Sequence, residues 1–133
     1  MSDADPVNEA RVRVRQGPLV APVLSRVVGM LAARAQCPID RLDDALLVTD
    51  AVAAHAPDFG RNGTVTVHVR AEEGALELRV GELRPDGAQG LLRKAVLPGV
   101  GNVFERVADE VRAEVGDGSA DTGEALVLRL GFA

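Results

Sequence analysis

A carboxylate in the middle of a predicted helix is the group in this sequence best placed to do chemistry. It belongs to Asp50, in the segment DRLDDALLVTDAVAAHA at residues 40–56, where Asp40 can serve as the N-cap and Pro57 ends the helix. Helical spacing predicts a core stripe and a neighbouring stripe. The core stripe is Leu42, Leu46, Thr49 and Ala53, and the neighbouring stripe is Asp43, Leu47, Asp50 and Ala54. In a pocket such a carboxylate could act as a general base, whereas on an open surface it would only face water.

The composition argues against several classes of function. The chain has 133 residues, enough for one domain with a real core, and no apolar run approaches the roughly 18 residues of a membrane-spanning helix. The acidic N-terminus does not resemble a signal peptide, and the single cysteine, Cys37, fits a reducing cytoplasm. Two histidines and one cysteine argue against a zinc site. A net charge of −5 with three aromatic residues, all Phe, argues against nucleic-acid binding.

The elements that must position Asp50 follow from hydrophobic periodicity and from turn residues. Residues 1–10 are expected to form a disordered tail, and residues 11–133 a single domain. Strands are predicted at residues 11–15, 64–71, 75–83, 110–115 and 124–132. Helices are predicted at residues 18–36, 40–56 and 102–108, with a shorter one at residues 91–96 inside an irregular segment, 84–101. A flexible turn is predicted at residues 116–123.

This order predicts an α+β fold, a two-layer α/β sandwich. The sheet is expected to be mixed, mostly antiparallel and of about five strands, because its strands follow one another as hairpins. The helices are expected on one face, where their apolar stripes can be buried. For the first helix, the spacing predicts turns marked by Leu19, Val23, Val27 and either Met30 or Leu31.

Three arginines alternate with valines in the first predicted strand, RVRVR at residues 11–15. One interpretation is an edge strand whose charges prevent unwanted pairing. The other is a basic patch for an acidic partner, or an edge on which a second chain could pair. Both interpretations place Arg11, Arg13 and Arg15 on the face opposite Val12 and Val14.

Taken in chain order, three segments resemble the ATP-binding domain of the GHKL superfamily, which includes gyrase-like ATPases, heat-shock chaperones and histidine kinases. LDDALLVTDAVAAHA resembles the N-box helix of that superfamily, and LELRVGE resembles the strand that ends in the adenine-binding aspartate. GVGNVFERVADEV resembles the second glycine-rich segment and the elements after it. Within the superfamily, the chain is most similar to the short anti-sigma-factor serine kinases of bacterial partner-switching pathways.

The resemblance assigns roles to two residues of the N-box helix. The family glutamate that polarises the attacking group falls on Asp50, which keeps a carboxylate but is one methylene shorter. The family asparagine that ligates magnesium falls on Ala54, whose methyl group cannot ligate a metal. His55 is the next residue, but one residue is a rotation of about 100° around a helix, so it is not expected to replace that ligand.

The adenine-binding box also departs from the family pattern. It would begin at Glu82, and its glycines fall on Arg84 and Asp86. An alternative alignment with an insertion starts at Asp86, in the segment DGAQG at residues 86–90. Gly99 and Gly101 are in the position of the second glycine-rich segment.

The resemblance therefore implies an eroded ATP site with Asp50 as its candidate catalytic residue. The vestigial nucleotide-binding residues would be Asp50, Glu82, Asp86, Gly99 and Gly101. No metal ligand is expected, and ATP with Mg²⁺ is expected only if the site still works.

The function this implies is that of a bacterial, cytoplasmic regulatory protein in transcription control. It would bind a protein partner, such as a sigma factor or an anti-anti-sigma-like protein, and dimers are common among similar proteins. Binding to nucleic acid or membrane is not expected. Two alternatives stay open: an active ATP-dependent serine kinase that tolerates Ala54 and Arg84, and a small-ligand-binding module that reuses the pocket beside Asp50.

Overall fold

Five antiparallel strands form the main sheet, in the order β1-β2-β3-β7-β6. The computed structural model describes residues 8–115 and 123–132. The strands of this sheet are β1 (Asn8–Arg15), β2 (Thr64–Glu72), β3 (Ala75–Leu83), β6 (Glu110–Glu114) and β7 (Glu124–Gly131). The helices are α1 (Val20–Arg34), α2 (Ile39–His55), α3 (Gly87–Lys94) and α4 (Val103–Val107). A small hairpin pairs β4 (Val96–Leu97) with β5 (Gly101–Asn102).

One core lies between the sheet and the helices. Each of the three central strands sends alternate apolar side chains into it, as the period-two pattern requires. These are Val65, Val67 and Val69 of β2, Leu76, Leu78 and Val80 of β3, and Leu126, Leu128 and Leu130 of β7. All four helices contribute buried residues to the other side of the same core or to its edge. The α+β two-layer prediction, with helices on one face of a five-stranded sheet, is confirmed.

The opposite face of the sheet is open and charged. Along β1 the arginines at positions 11, 13 and 15 are exposed while Val12 and Val14 are half-buried, so β1 is an edge strand with a charged outer face. Ion pairs cross this face between strands that have one other strand between them, for example Arg13 of β1 with Glu82 of β3 at 3.1 Å and Arg129 of β7 with Glu72 of β2 at 2.6 Å. The sheet order thus shows RVRVR to be an edge strand with outward-facing charges.

Several predicted boundaries and faces are wrong. β1 begins at Asn8, so residues 8–10 belong to the sheet rather than to the tail; residues 1–7 and most of the turn at 116–123 lie outside the described residues. The helix predicted at residues 91–96 is α3, which begins at Gly87 and ends at Lys94. α2 begins at Ile39 after Pro38, so Asp40 is in its first turn and is not the N-cap.

The buried faces of the two long helices also differ from the prediction. α1 buries Val20, Leu24, Val28 and Ala32, one residue on from the predicted stripe, and leaves Leu19 64% exposed. α2 buries Ala45, Val48, Thr49 and Val52. Since one residue is a rotation of about 100°, alanine and valine in neighbouring positions give a helix two nearly equivalent apolar stripes, and contact with the sheet selects between them.

Candidate functional site

A pocket of about 180 Å³ lies beside Asp50, between the exposed side of α2 and the segment after α3. The side chain of Asp50 is exposed at mid-helix, as its stripe predicts. Leu47, Ala51 and Ala54 of the same helix line the pocket, and the opposite wall is Ala95, Leu97 and Val103. The Asp50 carboxylate therefore lies beside Leu47 and Ala54, the apolar residues of its predicted stripe.

His55 lines the same pocket, although helical geometry predicted that it would point away. It is the last residue of α2, and its φ of −117° departs from the helical value, so extrapolating a regular helix to this position failed. The pocket then carries two ionisable groups, Asp50 and His55, in an otherwise apolar lining. Within the described part of the chain, no arginine or lysine lines it, and no three side chains of the His, Cys, Asp and Glu types gather into a possible metal site.

The far wall of the pocket is built by the β4–β5 hairpin. Its turn joins Leu97 to Val100 through Pro98 and Gly99, and the Val100 N–H donates to Leu97 O at 3.1 Å. Proline followed by a residue with φ of +78° is the pattern of a type II turn, which needs glycine at Gly99. Gly99 and Gly101, which also has a positive φ of +91°, thus have a structural reason to be glycine.

Asn102 anchors the base of that hairpin. Its side-chain amide donates to Leu92 O at 2.6 Å, and its carbonyl oxygen caps α4 by accepting the Glu105 N–H at 3.1 Å. Asn102 is therefore the N-cap of α4. The segment predicted to be irregular, residues 84–101, therefore contains α3 and most of the β4–β5 hairpin, and this hairpin places Leu97 at the pocket.

Glu82 does not join Asp50. A register shift between Val80 and Leu83 disrupts the β3–β7 ladder, and Glu82 has a positive φ of +51° there. Its carboxylate accepts hydrogen bonds from Thr66 Oγ1 at 2.6 Å and from Arg13 Nη2 at 3.1 Å. Both partners lie on the open face of the sheet, so the sheet separates Glu82 from the Asp50 pocket.

Asp86 and the glycines after it have roles in folding. Asp86 stands just before α3, and its own N–H donates to Glu124 Oε2 at 2.6 Å, so Glu124 provides the negative charge at this helix start. An added Cβ at Gly90 would lie 2.9 Å from Phe59 Cδ1, which means that only glycine lets the Phe59 ring lie against α3. The segment DGAQG thus packs a helix, and neither Asp86 nor Gly90 lines the Asp50 pocket.

Arg41 is a structural centre that reasoning from the sequence missed. Its guanidinium donates to Asp109 Oδ2 and Asp44 Oδ2, each at 2.8 Å, and to the carbonyls of Gly131 and Val107. The side chain is only 23% exposed. An arginine in the first turn of a predicted helix gives no signal of this role, because all of its acceptors except Asp44 are far away in the sequence.

A second depression, of about 160 Å³, lies on the open face of the sheet. It is lined by His68, Arg70, Glu77, Arg79, Arg112 and Val127. His68 Nε2 lies 3.3 Å from Glu9 Oε2, and Arg70 Nε lies 3.7 Å from the same oxygen, too far for a hydrogen bond. Hydrogen bonds from Arg79 and then Arg112 lower the pKa of Glu114. This depression is therefore a network of paired charges on the open face of the sheet.

Cys37 is half-buried at the end of the link between α1 and α2, and burial raises the pKa of its thiol. A raised pKa lowers the thiolate fraction at neutral pH, so this cysteine is poorly suited to act as a nucleophile.

Within the described residues, no helix is long and apolar enough to cross a membrane. No protein-family model matches this chain, and comparison with curated proteins gives no match either.

Proposed function

We propose that this protein is a non-catalytic regulatory module that binds a protein partner through the face around Asp50. The observation that carries the proposal is the lining of the Asp50 pocket, which is apolar apart from Asp50 and His55 and, among the described residues, holds no arginine or lysine. Phosphoryl transfer needs metal ions and cationic donors to neutralise phosphate charge. The carboxylate of Asp50 would repel the phosphate groups of a nucleotide, and no arginine or lysine of the described pocket lining would offset that repulsion.

The size of the pocket favours the same proposal. Sites for drug-sized ligands and cofactors occupy about 300–1,000 Å³, and this pocket occupies about 180 Å³. An engineered cavity of about 150 Å³ is known to hold benzene, so the Asp50 pocket suits one large apolar side chain. The side chain of a protein partner is such a group.

Exposed apolar residues point to the helical side of the molecule as the binding face. Among the described residues, eight large apolar side chains are exposed, and seven of them are on α1, α2, the residue before α1, or the hairpin. These are Leu19, Met30, Ile39, Leu47, Val96, Leu97 and Val100. The open face of the sheet carries paired charges instead. Of the seven apolar residues, Leu47 and Leu97 both line the Asp50 pocket, and contiguous apolar surface is typical of protein interaction sites, whereas a matched charge network is typical of a solvated face.

The class of partner rests on the resemblance of the sequence to anti-sigma-factor serine kinases. On that basis the partner is a sigma factor or an anti-anti-sigma-like protein, and the module acts in the bacterial cytoplasm in partner switching that controls transcription. Leu97 and the neighbouring hairpin tip would contact an apolar side chain of the partner, while Asp50 would pair with a basic residue next to it.

Calorimetric titration tests the proposal in two steps. First, ATP and ADP with Mg²⁺ are titrated into the purified chain, and no binding is expected at millimolar nucleotide. Micromolar binding would replace the proposal with the active-kinase alternative. Second, purified sigma factors and anti-anti-sigma-like proteins of the source bacterium are titrated, and one of them is expected to bind.

Two variants then locate the surface. Leu97→Asp and Asp50→Asn should each weaken binding of that partner without changing the melting temperature, because both side chains are exposed. Arg11→Ala, on the open face of the sheet, is the matched control and should bind normally. Equal binding by all three variants would place the partner elsewhere and refute the proposed surface.

A further inference from the structure

The outer edge of β1 has no partner strand among the described residues, because β1 stands first in the sheet order. All eight residues of β1 pair in register with β2, from Asn8 opposite Ala71 to Arg15 opposite Thr64. Natural sheets protect such edges by proline, by a bulge or by keeping the strand short, and β1 has none of these features. The described chain therefore leaves a long, regular strand edge exposed, which we call the β1 edge.

The backbone groups along the β1 edge belong to the arginines of the RVRVR segment, residues 11–15. Just after the strand, the Gln16 N–H donates to Gly63 O at 2.8 Å, so the backbone groups of Gln16 point toward β2. Backbone groups alternate in direction along an antiparallel strand, so those of the two valines of RVRVR also point toward β2. The N–H and C=O groups of its three arginines then point outward, along the β1 edge.

The side chains of the same three arginines make this edge locally basic. All three are exposed on the open face of the sheet, and across β2 they stand opposite His68 and two threonines. Among the described ion pairs, one involves these arginines, the pair of Arg13 with Glu82 at 3.1 Å. Glu9, the carboxylate of the same strand, lies 3.3 Å from His68 instead. The edge thus carries positive charge on a chain whose net charge is −5.

We propose that the β1 edge binds an extended acidic segment of another protein, which pairs with it as an additional strand of the sheet. In antiparallel pairing, a residue directly opposite an outward-pointing arginine exchanges both backbone hydrogen bonds with it, and the two side chains lie on the same face. An acidic residue at each of these positions forms an ion pair and two backbone hydrogen bonds together.

The positions between the acidic residues suit apolar side chains. They would lie on the core side of the sheet, next to Val12 and Val14, which are half-buried and packed against the core. A strand added at this edge would cover the part of these two valines that is still exposed. The expected partner segment therefore alternates acidic and apolar residues, the complement of RVRVR.

The arginines also argue against a second copy of this chain as the occupant. If the RVRVR segments of two copies paired side by side, arginines of one copy would face arginines of the other on the same side of the sheet. Like charges directly opposite each other destabilise a strand pair. The arginines thus protect the edge from other copies of the chain and favour an acidic strand.

The β1 edge is separate from the Asp50 surface. The helix that packs on β1 and β2 is α1, whereas Asp50 is on α2 and its pocket is closed by the β4–β5 hairpin. The inference therefore does not depend on the proposed function, and a strand at the β1 edge leaves the Asp50 pocket accessible.

Fluorescence anisotropy tests the edge with the full chain and a labelled acidic peptide, VEVEVEV, as the probe. The peptide should bind at about 0.15 M salt, where exposed charges more than about 8 Å apart are largely screened. The peptide VVEEEVV has the same composition without the alternation and should bind at least about tenfold more weakly, because its glutamates cannot all lie opposite arginines.

Two methylated forms of the probe separate strand pairing from charge attraction. In the proposed pairing the glutamate N–H groups donate to β1 and the valine N–H groups point away from it. N-methylation of the glutamate amides should therefore abolish binding, whereas N-methylation of the valine amides should preserve it. The two peptides carry the same charge, so equal binding by both would overturn the proposal.

Charge reversal then locates the site on the chain. The double substitution Arg11→Glu and Arg15→Glu should raise the Kd of VEVEVEV at least about tenfold, because it replaces attraction by repulsion at two cross-strand positions. The double substitution Arg26→Glu and Arg93→Glu makes the same charge change at exposed arginines of α1 and α3 and should change the Kd less than about twofold. The melting temperatures of both double variants show whether they fold.

The outcomes decide the proposal without any partner of the Asp50 surface. Equal Kd values for the two double variants, or no binding of VEVEVEV to the wild-type chain, would overturn it. Tighter binding of a single-stranded oligodeoxynucleotide than of the peptide, lost in the variant with Arg11→Glu and Arg15→Glu, would show a site that recognises polyanions and would also overturn it. Neither result bears on the proposed function, which is tested with its own partners.

Discussion

Arg41 and Asp109 lie 68 residues apart in the sequence, yet Arg41 Nη2 donates to Asp109 Oδ2 at 2.8 Å. The same carboxylate oxygen accepts the Gly131 N–H at 2.6 Å. This pair joins the first turn of α2 to the residue before β6 and to the end of β7. It holds the helical layer, and therefore Asp50, at a defined place relative to the sheet.

Removing the guanidinium should be costly. We expect Arg41→Ala to lower the free energy of unfolding by about 2 kcal/mol, since it breaks charge-assisted hydrogen bonds in a side chain that is mostly buried. Urea unfolding measures the change. Arg93→Ala, at an exposed arginine of α3, is the control and should change the stability by less than about 0.5 kcal/mol. Equal effects of the two substitutions would show that Arg41 has no special role.

Two helical glycines should respond in opposite directions to alanine. Gly90→Ala should destabilise the protein by about 1–3 kcal/mol, because the new Cβ would press against the Phe59 ring. Gly29→Ala should stabilise it by about 0.5–1 kcal/mol, because nothing lies within 4 Å of that Cβ and alanine favours the helix. Thermal unfolding of both variants gives the comparison. A tolerated Gly90→Ala would mean that Phe59 can move, and that the DGAQG segment is glycine-rich for another reason.

Restoring the missing magnesium ligand alone should not restore nucleotide binding. Ala54→Asn supplies the amide that the resemblance to GHKL proteins calls for, but Glu82 stays on the open face of the sheet and the pocket still lacks cationic donors. We therefore expect calorimetry with Mg²⁺ and ATP to show no binding for this variant. Micromolar binding would mean that Ala54 by itself disables the site, and would favour the kinase alternative.

Lowering the pH should weaken the attachment of the edge strand β6, because it protonates Glu114. Because hydrogen bonds from Arg79 and Arg112 lower the pKa of Glu114 in the folded state, this carboxylate contributes stability above the ordinary glutamate range and loses it as the pH falls through its lowered pKa. Glu114→Gln should thus reduce stability at neutral pH, by no more than about 1 kcal/mol for such exposed ion pairs. The difference from wild type should vanish in acid. Urea unfolding across the pH range measures this difference, and a constant difference at all pH values would contradict it.

Much of the fold could be predicted because its signals are local. Alternating valines and leucines in β2, β3 and β7 predict strands with one buried face, and the short turn at Glu73 and Gly74 predicts their first hairpin. Asp50 is predicted to lie at mid-helix among alanines and Leu47, and the structure places it there, on the rim of a pocket. These features need only the neighbours along the chain.

The remaining features depended on contacts between distant residues. The buried face of α1 was selected by the sheet, because its alanines and valines offer two similar stripes. Glu82 turned to the open face because a local register shift reversed its side, which the alternation of LELRVGE does not reveal. The far wall of the Asp50 pocket comes from a hairpin more than 40 residues later in the chain. The sequence by itself therefore determined the elements and the chemistry of Asp50, and only the tertiary structure decided its surroundings, since those are set by long-range contacts rather than by local periodicity.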